Sequence, residues 1–229
     1  MTAFWFPDNT VLCNFAAVKR LDLLESVLAG RGRWTAAVAY EASASTRFLP
    51  ALAEVSRQGW LGEPVEVTEP AHIRKINRIR RAAFGGTDDA PLQHLGEAET
   101  CFVIREWAEF RGSFWLSDDR EAVRYARFQG IVTYETVDLM SMAVTDGDIT
   151  AKKAFDLMVL MTDEGRALRL PRSPAELGVS LCLPRAINAP GPAARSVNFN
   201  AGDPSCSSPK PSTGNATNTK LGPAERQTP

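Results

Sequence analysis

Hydrophobic positions along this chain fall into short blocks whose spacing switches repeatedly between strand-like and helical. Residues 4–7 are apolar and run into Asp8, after which Asn9 and Thr10 open a second apolar segment, 11–15. That pattern predicts a short buried strand with a carboxylate at its C-terminal end and a helix starting just beyond. Residues 16–28 carry Val18, Leu21, Leu24, Val27 and Leu28 at helical spacing and stop at Gly30-Arg31-Gly32. A segment at 34–38 leads into a second helix with Glu41 near its start. That helix is expected to run through Ala51, Leu52 and Val55 to Gly59, broken or bent by Pro50. Residues 64–68 alternate apolar and acidic in strand fashion.

Residues 70–83 predict a helix with Ile73, Ile76 and Ile79 inward and Arg74, Lys75, Arg78, Arg80 and Arg81 mostly outward; 85–91 is a loop by composition. A helix over 95–110 opens with Gly96-Glu97-Ala98-Glu99. A compact apolar strand at 113–116 runs directly into Ser117-Asp118-Asp119-Arg120, and the next helix reaches about Phe128 before Gly130 ends it. A third short strand at 131–133 precedes helices over 135–142 and 149–164. Strands alternating with helices at this spacing predict an α/β fold, a central parallel β-sheet flanked by helices. From about Pro184 the chain is rich in Pro, Ser, Asn, Thr and Gly with Phe199 its only aromatic residue, a composition too poor in apolar side chains to order itself. The predicted organisation is a domain over 1–145, a C-terminal helical extension over 146–180 and a disordered tail over 181–229.

Composition narrows the function classes. With 229 residues, 44% of them hydrophobic, there is material for a sizeable core. A net charge of −1 excludes a uniformly basic nucleic-acid coat but leaves room for local basic patches. Cys13, Cys101, Cys182 and Cys206 show no CxxC spacing, and Cys13 and Cys101 read as reduced core thiols. With only His72 and His94, a His/Cys zinc site is not expected. No basic segment precedes a long apolar run at the start, and no stretch approaches the ~20 apolar residues that span a bilayer. The expected location is cytoplasmic, with no membrane partner.

The candidate chemistry lies in the acids. Asp8 and the Asp118-Asp119 pair end predicted strands, while Glu41 and Glu97 fall in the first turns of predicted helices. Singly, each has an ordinary explanation as a helix cap or a partner of the helix dipole. In a parallel sheet, however, strand C-termini and the starts of the following helices share one edge, so all four can face one crevice. Clustered carboxylates raise one another's pKa unless a cation neutralises them. Oxygen-only ligands suit Mg²⁺ or Mn²⁺, and such a site activates water and stabilises charge on a scissile phosphate. No GxxxxGK[ST] or GxGxxG loop follows any strand, which argues against a nucleotide-binding domain.

Five segments, Asp8-Asn9-Thr10-Val11-Leu12, Val38-Ala39-Tyr40-Glu41, Leu95-Gly96-Glu97-Ala98-Glu99, Leu116-Ser117-Asp118-Asp119-Arg120 and Gly130-Ile131-Val132, resemble in order and spacing the motifs of a PIN domain. The resemblance covers about residues 4–139, with the helix after Ile149 as a subfamily extension. It implies a metal-dependent ribonuclease of the VapC type, the toxin of a toxin–antitoxin pair. The cofactor implied is Mg²⁺ or Mn²⁺, the substrate RNA, and the partners a small antitoxin protein and a second copy of the chain. Carried over by position, Asp8, Glu97 and Asp119 hold the metal, Glu41 acts as ligand or orienter of the water, and Thr10 supplies a supporting hydroxyl. Asp118 stands as the alternative to Asp119 and Glu99 as the alternative to Glu97, a position where many relatives carry Asp. Arg120, Arg124 and Arg127 recur at helical spacing beside Asp119 and suit RNA phosphates. The 74–81 basic cluster reads first as a solvated helix face. Trp5, Trp34, Trp60, Trp107 and Trp115 read as core rather than as base-stacking platforms. The rival reading is a catalytically silent PIN-like module that binds RNA or protein.

Overall fold

Three short apolar strands form the centre of the protein in the computed structural model, which describes residues 2–178. The order is β1 (Trp5–Pro7), α1 (Asn9–Ala17), α2 (Leu21–Leu28), α3 (Ala36–Ser45), a 3₁₀ turn at Pro50–Leu52, α4 (Ala53–Gln58), α5 (Pro70–Phe84), α6 (Leu95–Glu106), β2 (Phe114–Leu116), α7 (Arg120–Phe128), β3 (Thr133–Tyr134), α8 (Thr136–Thr145) and α9 (Ala151–Asp163). A second 3₁₀ turn, Pro174–Glu176, follows. The sheet is parallel, ordered β1-β2-β3, with Phe6 opposite Trp115 and Leu116 opposite Tyr134. Two isolated parallel bridges, Trp5 to Gly32 and Thr35 to Val65, continue the ladder on the other side of β1. Extended segments therefore lie in the order 65, 32–35, β1, β2, β3, and the direction of chain progression reverses beside β1. Ligands of open parallel sheets bind at such a switch point, outside the carboxyl ends of the strands. Asp8 is the residue that leaves β1 there.

Side-chain alternation explains why the strands are covered on both faces. Trp5, Phe114, Leu116 and Tyr134 join a core with α1, α2, α8 and α9, while Phe6 and Trp115 join one with α5, α6 and α7. Helix α9, placed by sequence in an extension, buries Ala154, Met158 and Met161 in the first of these clusters. Cys13 and Cys101 are buried free thiols, with burial pushing the Cys101 thiol up to about 12. Trp5, Trp34 and Trp115 are core. No helix among the described residues is long and apolar enough to cross a membrane. The tail expected over 181–229 lies outside the described residues.

Several predicted boundaries shift. The helix expected over 16–28 is two helices, separated by a turn in which Lys19 takes a left-handed φ of 55°. Thr35 caps α3, its hydroxyl accepting from the Val38 amide at 3.4 Å, which places Glu41 in the second helical turn instead of the first. Residues 64–68 contribute one bridge and no strand.

Arg80 is the largest departure. It is only 2% exposed, where the sequence placed it outward, and its guanidinium donates to the carbonyls of Thr87 (2.9 Å) and Ala90 (3.0 Å), fixing the loop before α6. Replacing it with Met would remove the donor that ties those carbonyls to α5. Arg80→Met is expected to cost about 3 kcal/mol in urea unfolding.

Candidate active site

Asp8 is 4% exposed and caps α1, and its carboxylate has three donors. The Asn9 amide reaches Oδ1 at 2.7 Å, while the hydroxyls of Thr10 (3.0 Å) and Ser117 (2.9 Å) reach Oδ2. Its backbone amide also donates to the Leu116 carbonyl at 2.8 Å, so the end of β1 is locked to the end of β2. Despite these donors, burial first and the Glu97 charge second raise its pKa from 3.8 to about 7.

Glu41 arrives from α3 and Glu97 from the first turn of α6. The Gly96 amide, at the positive end of α6, donates to Glu41 Oε1 at 3.3 Å. A side chain at position 96 would push the Glu41 carboxylate aside, since a Cβ there would lie 2.7 Å from that oxygen. Burial, then Asp8, then Glu97 raise Glu41 to about 8. Glu97 shares a 3.1 Å hydrogen bond with His94 Nδ1, on a residue held at φ 59°. Three carboxylates from three elements thus repel one another at the switch point.

The two soft assignments part company. Glu99 turns away to α3, its Oε2 accepting from the Ala37 amide at 2.9 Å, and is the weakest of the acids acting on Glu41. Asp118 is tied into the structure: it accepts from the Thr136 amide (3.0 Å), the Thr136 hydroxyl and Asn14 Nδ2 (2.8 Å), and burial raises it to about 6. Asp119 caps α7, with Oδ1 accepting from the amides of Glu121 (2.8 Å) and Ala122 (2.9 Å). Its own amide donates to Ser117 Oγ at 3.1 Å, so one hydroxyl links it to Asp8. Thr10 Oγ1 also accepts from the Asp118 amide at 3.4 Å.

Comparison of the chain with protein-family models, curated proteins and solved structures finds no match. The chemistry has to be read from the residues.

The four acids share an edge, but not as an assembled cage. Among the described residues, no three His, Cys, Asp or Glu side chains already form a metal-holding group. The donor chemistry nonetheless suits a hard cation. Glu41 Oε2, Glu97 Oε2 and Asp119 Oδ2 have no hydrogen-bond partner among the described residues, and no cation pairs with Asp8 or Glu41 there. Of the basic residues beside Asp119, Arg120 is exposed, Arg124 pairs with Glu121 and Arg127 donates to Thr133 Oγ1 at 2.9 Å. Sequence reasoning did not single out Ser117, Asn14, His94 or Arg166. Asn14 alone carried a local signal, as a polar residue inside an apolar helical run, and it is fully buried.

Proposed function

We propose that this protein is a metal-dependent ribonuclease with a PIN-like fold, acting as the toxin of a toxin–antitoxin pair. The observation that carries the reading is the convergence of buried Asp8 with half-buried Glu41 and Glu97 at the switch point of a parallel sheet, with no Lys or Arg paired to any of the three among the described residues. Asp8, Glu97 and Asp119 would hold Mg²⁺ or Mn²⁺. A divalent ion bound there supplies Lewis-acid stabilisation of the phosphate charge and a more acidic water. Glu41, with one oxygen fixed by the Gly96 amide and the other free, orients the attacking water and takes up its proton. Thr10 and Ser117 hold the Asp8 carboxylate in one rotamer. The test is cleavage of single-stranded RNA by the purified protein. Activity with Mg²⁺ or Mn²⁺ that EDTA removes is the expected result; intact RNA under all these conditions counts against the proposal.

The silent-module reading draws on one observation, the lack of a ready three-ligand group among the described residues. It predicts RNA or protein binding with no cleavage in any divalent ion.

Gly96→Ala probes the Glu41 geometry. The added methyl meets a flexible carboxylate instead of backbone, and Ala favours a helix over Gly by about 1 kcal/mol. Thermal stability should hold while cleavage falls about 10- to 100-fold, because Glu41 is displaced. A variant as active as the parent would remove Glu41 from the reaction.

A further inference from the structure

Arg166 stands at the turn that ends α9. Its amide donates back to the Met161 carbonyl at 3.0 Å, and Gly165 takes φ 77°, which turns the chain towards α1. The half-buried guanidinium donates through Nε to Asn14 Oδ1 at 3.1 Å. Asn14 spends its own amide on Asp118 Oδ2 (2.8 Å) and Thr136 Oγ1 (3.2 Å), which fixes its carbonyl towards Arg166. Asn14 is therefore a neutral spacer between a cation and the Asp118 carboxylate. It anchors the guanidinium without neutralising it.

Six described arginines, Arg20, Arg57, Arg80, Arg81, Arg124 and Arg169, are in ion pairs. Arg166 forms none among the described residues, and its two terminal amino groups have no hydrogen-bond partner there. It also flanks the acidic crevice through a chain of hydrogen bonds: Asn14 donates to Asp118, the Asp118 amide donates to Thr10 Oγ1, and the Thr10 hydroxyl donates to Asp8 Oδ2. A planar guanidinium held at one nitrogen and open at the other two matches the paired oxygens of a phosphodiester.

We propose that Arg166, anchored on Asn14, binds a backbone phosphate of the RNA strand next to the acidic crevice. The segment following α9 is on this view part of the substrate site. The inference rests on the ribonuclease reading, and it adds a subsite outside the acids and outside the basic α7 face. It also explains why a buried Asn occupies α1 where the neighbouring positions are apolar.

The test uses full-length protein carrying Asp8→Asn, in EDTA, with a labelled single-stranded RNA titrated from 50 to 300 mM KCl (about this range suffices to define a slope). Adding Arg166→Gln should weaken binding about 5- to 10-fold at the middle of the range. It should also reduce the slope of log affinity against log salt by about 0.7, the value for one phosphate contact on a single strand. Arg166→Lys should keep the slope and recover part of the affinity. Unchanged affinity and slope in the Gln variant overturn the phosphate site while leaving the ribonuclease reading in place. Lost affinity with the slope intact also overturns it, because that is the mark of a residue that merely shapes the fold. No RNA binding by the Asp8→Asn protein at all removes both.

Discussion

Asp8→Asn is expected to lower Mg²⁺-dependent RNA cleavage at least about 10³-fold while leaving the protein folded, in line with the loss of a group acting on charge that develops in the transition state. The geometry makes this residue the most sensitive one. It ends the central strand, sits 4% exposed, and has its two oxygens placed by a backbone amide and two hydroxyls. The hydroxyls of Thr10 and Ser117 can rotate to accept from an Asn amide, so the substitution keeps its neighbours partnered. Only the charge is lost. Initial rates on a defined RNA, with circular dichroism as the control for folding, check this. Cleavage within tenfold of the parent would take Asp8 out of the chemistry.

In the absence of divalent ions the protein is expected to lose stability as pH rises from about 5 to about 8.5. Asp8 goes from 3.8 to about 7 on folding and Glu41 from 4.5 to about 8. Both give up their protons more readily in the unfolded chain. Stability that is complete below about pH 4 is therefore lost as pH climbs through the folded values. At about 1.4 kcal/mol per pH unit, Asp8 alone accounts for about 4 kcal/mol. About 2 kcal/mol of this falls between pH 5.5 and the folded value, which corresponds to a melting point about 4–8 °C lower at pH 8.5 than at pH 5.5 for a chain of this size. The two acids titrate as a coupled set, so Asp8→Asn and Glu41→Gln should each flatten the profile and raise the melting point at pH 8.5. Saturating Mn²⁺ should do the same to the unsubstituted protein. A melting point that is level or rising across this window would show that the acids do not bury uncompensated charge.

The sequence carried the scaffold of the site further than its details. Asp8 at the end of an apolar run, and the acids following the 113–116 strand, were legible because strand, turn and cap follow one another locally. Glu97 and Glu99 lie two residues apart, about 200° around a helix, so only one can face the crevice; spacing alone does not say which, and the Ala37 amide decides it. Glu41 was misplaced by a turn because the cap at Thr35 was not read as the start of α3. Arg80 had a signal of its own, four residues after Ile76 on the buried face, but its charge suggested solvent. Arg166 had none. It meets Asn14 across 152 positions of sequence, through packing of α9 that no local pattern encodes.

Calorimetric titration of the metal-free protein with Mn²⁺ at pH 7.5 tests the central claim most directly. If Asp8, Glu97 and Asp119 hold a cation with Glu41 beside it, the titration gives saturable binding with proton release, seen as a heat that changes with the ionisation enthalpy of the buffer, and Asp8→Asn abolishes it. Absence of saturable heat, or binding that Asp8→Asn leaves untouched, contradicts the account.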